Sequence, residues 1–146
     1  MAEKGSGFSA EERAAMKQAA AERRAQAKIA KSVQHREINL QGVLDAITAM
    51  DARDRDLAER FHAIVTEVAP ELEAKTWYGM PAYAKDGAPL CFFQAAGKFK
   101  VRYATIGFQH NAKLDDGKMW PTSFALLAFT DEVETQVRDL IARAAE

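Results

Sequence analysis

Apolar side chains recur along this chain at two spacings, and the change from one to the other divides it into helical and extended parts. Residues 8–31 have Ser9 at a capping position and Glu12 three residues on, the reciprocal pattern that closes a helix N-terminus. Their interior is Ala, Glu, Lys, Arg and Gln, all strong helix formers, with Met16 and Ile29 as the large apolar residues. The spacing predicts a helix with little to bury, an N-terminal extension over residues 1–36 that either stands in solvent or docks on a partner. Residues 32–42 read as a connector. Val43, Leu44, Ile47 and Met50 predict a short amphipathic helix over 43–50. A longer one follows, with Asp51 as its cap, Leu57, Phe61, Ile64, Val65 and Val68 on one stripe, and Pro70 as its stop.

From there the period shortens to two. Asp86-Gly87 supplies the positive φ angles of a tight hairpin turn and joins a strand over 81–84 to one over 90–95. Read with a two-residue loop, Tyr83 opposes Leu90. A second turn at Ala96-Gly97 leads into "FKVRYATI", in which Phe92 opposes Val101 and Cys91 opposes Arg102. This register puts Tyr83, Leu90, Phe92, Phe99, Val101 and Tyr103 on the covered face. It puts Cys91, Phe93, Lys98, Lys100 and Arg102 on the open one, where a neighbouring guanidinium favours the Cys91 thiolate. Residues 107–118 form a polar loop, a further strand follows Pro121, and a closing helix over 131–146 carries Val133, Val137, Leu140 and Ile141 behind a Thr130 or Asp131 cap. Helices, a meander of strands and a final helix predict an α+β domain over 37–146, an antiparallel sheet with helices on one face.

Composition refines this picture. The 146 residues are 48% apolar and 28% charged, which suits one globular domain. A single Cys excludes an intramolecular disulfide and a Cys-based zinc site. The N-terminus lacks the apolar run of a signal peptide, and no stretch reaches membrane-spanning length, so a cytoplasmic protein is expected. The net charge of −1 argues against nucleic acid as a partner. That total conceals blocks. Residues 1–36 carry 8 basic and 4 acidic groups (+4), 37–74 carry 3 and 9 (−6), 75–118 carry 7 and 3 (+4), and 119–146 carry 2 and 5 (−3). The domain is therefore expected to have an acidic helical surface and a basic, partly aromatic sheet face.

Two candidate sites follow. Asp56, Glu59 and Glu67 turn to one side of the main helix, with Glu71 at its end, and carboxylates of this kind suit Fe(II), Mn(II) or Mg(II). Glu59 and His62 form one Glu-x-x-His, where a di-iron bundle needs two, so His62 reads as a boundary residue. Trp77, Tyr78, Met80, Tyr83, Phe93 and Trp120, with Lys100 and Arg102, are the alternative, a cleft for a small planar ligand. No phosphate loop, nucleophile elbow or paired metal-helix motif is present, which points away from an enzyme.

The run "AERFHAIVTEVAPELEAKTWYGMPAYAKDG" resembles the signature of the YdhG-like family of small domains, a helix, a Pro-Glu break, an aromatic strand and Tyr-Gly-Met-Pro. The matching residues are Pro70, Glu71, Tyr78, Gly79, Met80, Pro81 and Tyr83, and the resemblance extends over roughly residues 40–140. It implies a frataxin-like two-layer fold and, since at least one member is described as an iron chaperone, weakly held iron passed on to iron-receiving proteins. On that reading the acidic set Asp56, Glu59, Glu67 and Glu71 holds the metal. The alternatives are the small-ligand module and a protein-interaction domain, with a homodimer through the N-terminal helix or the open sheet face.

Overall fold

The computed structural model describes residues 8–146, so the first seven residues of the expected extension lie outside them. The chain divides into two compact units, Met1–Glu37 and Ile38–Glu146. Helix α1 spans Ala10–Thr48. The Ser9–Glu12 capping box is present: Glu12 N–H donates to Ser9 Oγ at 3.1 Å and Ser9 N–H to Glu12 Oε1 at 3.0 Å. The expected connector over 32–42 is helical instead. It contains no Pro, and its Ser, Asn and single Gly cost too little to end a helix already propagating. Met16, Ile29 and Val33 of α1 are exposed.

In the second unit, α2 (Ala52–Val68) is capped by Asp51, whose side chain accepts from Asp54 N–H at 3.0 Å. Five strands follow: β1 (Glu73–Trp77), β2 (Met80–Lys85), β3 (Ala88–Gln94), β4 (Ala104–Phe108) and β5 (Ser123–Leu126). They pair as an antiparallel meander in the order β1-β2-β3-β4-β5. A short helix α3 (Ala96–Phe99) lies between β3 and β4, and α4 (Asp131–Ala144) closes the chain behind its Thr130 cap. The fold is α+β, as the pattern predicts. Phe61 of α2 packs on Tyr83 and Phe93 with ring centroids 5.7 and 6.3 Å apart, and Val43 and Ile47 of α1 and Val137 and Ile141 of α4 complete the core on the same face. No helix among the described residues is long and apolar enough to cross a membrane.

Two hairpins use turns in which both central residues have positive φ, Tyr78-Gly79 (50° and 75°) and Asp86-Gly87 (51° and 84°). The second is the expected Asp-Gly turn, with Lys85 opposite Ala88. The expected register beyond it fails. A bulge between Tyr83 and Ala84 leaves Leu90 unpaired, so Tyr83 opposes Cys91 and Ala82 opposes Phe92. One extra residue exchanges the faces of everything beyond it. Cys91 and Phe93 therefore point into the core at 0% exposure, and Phe92 lies on the open face against Trp77. There its ring covers Gly107, where any Cβ would enter the ring.

The second correction concerns "KFKVRY". Its alternation predicts a strand, yet Ala96–Phe99 is helical and the strand begins only at Ala104. The cause lies in α2. The buried Asp54 carboxylate accepts from Ala96 N–H at 3.1 Å and from Gly97 N–H at 2.9 Å. These bonds bind the start of α3 to the first turn of α2, and Lys100, left-handed at φ 55°, ends the turn. A Cβ at Gly97 would stand 2.5 Å from Asp51 Oδ2, so a larger residue there would displace the side chain that caps α2. Cys91 consequently opposes Phe108, not Arg102, and Phe93 opposes Ile106. Burial pushes the Cys91 thiol well above its ordinary range.

Two outcomes follow. Native Cys91 should resist thiol reagents from pH 7 to 9 and label only in denaturant, and stoichiometric labelling of folded protein would contradict its burial. Replacing Asp54 with Ala strips an acceptor from two backbone donors and should cost about 2 kcal/mol in urea denaturation. Asn, which keeps one oxygen acceptor, should fall between the two.

Candidate functional site

A groove of about 670 Å³ lies between β4–β5 and α4. It exists because α4 packs on the sheet through Val137 and Ile141 while the outer part of β5 receives no helix of its own. Phe124 and Leu126 project from β5 towards the helical layer, level with Ile106 of β4. Val133, Val137 and Leu140 face them from α4, and Tyr103 and Leu127 close one end. Leu127 is 57% exposed. The polar lining is sparse: Thr130, Gln136, Asp139, Arg143 and Arg102. Arg143 is held by Asp139 at 3.6 Å, whereas Arg102 stacks over Tyr103 at 5.0 Å. An apolar trough of a few hundred Å³ with few polar groups is the usual form of a binding site.

Of the expected sites, only parts coincide with this groove. The aromatic and basic set is dispersed over five places. Trp77 and Tyr78 stack edge to face at 5.0 Å at the β1–β2 turn, where Tyr78 is 80% exposed. Met80, Tyr83 and Phe93 are buried, the last two in the core beneath α2. Lys100 ends α3 and Arg102 lines the groove. Trp120 is half-buried in a shallow depression with Gln109, His110 and Met119. The single aromatic cleft is therefore not formed, because it depends on the unbulged register and on a strand through Lys100 and Arg102.

The acidic set is exposed, as expected of the outer face of α2. It shares that surface with cations. Glu67 Oε1 meets Arg138 Nη1 at 2.6 Å, Arg138 Nε meets Glu134 Oε2 at 3.1 Å, and Arg60 Nη2 meets Glu134 Oε1 at 2.7 Å. This ladder ties α2 to α4, and its hydrogen bonds to Arg60 and then Arg138 hold the Glu134 carboxyl below its ordinary range. Among the described residues no group of three or more His, Cys, Asp or Glu side chains is arranged to hold a metal ion. Asp56, Glu59, Glu67 and Glu71 do not form a ligand cluster.

The groove residues were legible only in part. The run "SFALLAF" is apolar at both strand parities and so has more apolar side chains than one buried face uses. Likewise α4 has four large apolar residues in three turns.

One polar contact lies inside the core. His62 Nδ1 and the Tyr83 hydroxyl share a hydrogen bond of 2.8 Å. Burial lowers the His62 pKa, and burial, with a smaller contribution from Cys91, raises that of Tyr83. A histidine with a depressed folded-state pKa binds fewer protons folded than unfolded. Stability is thus full above the unfolded value of about 6.5 and falls as pH drops below it. Urea denaturation between pH 7 and 5 should show wild type losing stability more steeply than His62→Gln, by at most about 1.4 kcal/mol per pH unit. Parallel pH profiles would show that His62 is not the responsible group.

Comparison of the chain with family models, with curated proteins and with solved structures finds no match in any of the three.

Proposed function

We propose that this protein is a binding domain and that its site is the groove between β5 and α4, which takes up the apolar part of a ligand. The observation that carries this reading is the groove itself, about 670 Å³ lined by Tyr103, Ile106, Phe124, Leu126, Val137 and Leu140. Apolar surface left in water at this density gains about 25 cal/mol for each Å² that a ligand covers. The polar groups at its margin, with Arg102 foremost, orient the ligand and select an anionic end.

The iron-carrying role implied by resemblance to the YdhG-like family needs the acidic face of α2. There Glu67 is engaged by Arg138, and the four carboxylates form no cluster. The small-ligand alternative keeps Arg102 from the original set and moves to the helical side of the sheet.

Binding of decanoate, an apolar chain with an anionic end, tests the reading. Calorimetry should show one saturable site. Ala128→Trp, a change at an exposed lining position, should abolish the heat while leaving the melting temperature unchanged. Absence of decanoate binding, or equal binding by the folded variant, would overturn the assignment.

A further inference from the structure

We infer that the natural occupant of the groove is an extended peptide segment that adds as a sixth strand to the outer edge of β5 and presents an acidic residue to Arg102. The inference rests on the groove being the binding site and names its partner.

The backbone of β5 points to a strand. Phe108 N–H donates to Thr122 C=O at 2.8 Å. Antiparallel ladders alternate, so Phe124 and Leu126 exchange bonds with Ile106 and Ala104, and Ser123 and Ala125 turn their N–H and C=O groups outward. Among the described residues, no backbone bond outside the ladder engages those outward groups. An added strand lies about 4.8 Å further out, with alternate side chains on the face of Phe124 and Leu126, which places them over the groove. The opposite edge of the sheet differs, since α1 runs beside β1 and a Cβ at Gly42 would be 3.8 Å from Thr76 Cγ2.

The charge at the site selects the partner. Arg102 is exposed, forms no ion pair among the described residues, and lies two residues before Ala104, the residue opposite Leu126. Its guanidinium therefore stands near the C-terminal end of β5. An antiparallel segment brings its own N-terminal end there, so its acidic residue comes first and apolar residues follow at every second position. Edge-to-edge pairing with β5 of a second copy does not meet that demand, because residues 121–128, PTSFALLA, contain no carboxylate.

The probe is the peptide acetyl-Glu-Ser-Val-Ser-Val-Ser-amide, compared with its Gln analogue and titrated to millimolar concentration into ¹⁵N-labelled full-length protein. The expected result is at least about tenfold slower exchange of the Ser123 and Ala125 amides, as for amides drawn into a ladder. Affinity for the Glu peptide should exceed that for the Gln peptide by about tenfold, a charge-assisted hydrogen bond. Arg102→Gln should erase that difference. Ala125→Pro removes the outward N–H at an edge position where Pro is tolerated, and should abolish peptide binding in a variant that remains folded. Decanoate binding without protection of the two amides overturns the peptide inference and leaves the groove assignment standing. Failure of both ligands overturns both. Protection that rises with protein concentration in the absence of peptide would give the edge to a second copy and overturn the inference.

Discussion

The Asp54 carboxylate is the contact on which the arrangement of this domain turns. It sits in the first turn of α2, buried at 3% exposure, and both its oxygens accept backbone N–H groups from α3. A buried carboxylate costs several kcal/mol unless its lone pairs are satisfied, and two main-chain donors satisfy them here without a counter-charge. The bond closes a long-range loop, since 42 and 43 residues separate the partners. It also takes residues 96–99 out of the sheet. Were they extended, their N–H groups would belong to a ladder and Asp54 would be left without partners.

That constraint acts together with the bulge at Tyr83/Ala84 to set which side of the sheet each aromatic occupies. With both in place, Tyr83, Cys91 and Phe93 face α2, and Phe92 is left outside to stack with Trp77 over Gly107. The pairing of His62 with the Tyr83 hydroxyl then becomes a necessity of burial, because a phenol placed beneath a helix needs a hydrogen-bond partner.

The groove arises from the same geometry at the far edge. Val137 and Ile141 bury α4 on the sheet, and the Arg60–Glu134–Arg138–Glu67 ladder orients it towards α2. Exposed ion pairs of this kind contribute little energy. Beside α4, β5 stays partly uncovered, with apolar side chains on the groove wall and unpaired main-chain groups at its rim.

Several features were determined by local chemistry and could be read in the sequence. The Ser9–Glu12 and Asp51 caps, the Asp86-Gly87 turn and the Thr130 cap each depend on residues within four positions of one another, and each is present. The α+β class followed from their order. The tertiary structure alone decided the rest. "KFKVRY" alternates like a strand, but Asp54, more than forty positions earlier, makes its beginning helical. Residues 32–42 look like a connector only until the helix before them is seen to propagate. Leu90 resembles its neighbours, and nothing local marks it as the extra residue of a bulge. The expected aromatic cleft and acidic metal face depended on where side chains from distant segments meet. Those meetings are set by a buried hydrogen bond, a slipped register and a shared ladder of charges, and such long-range contacts leave no periodic trace in the chain.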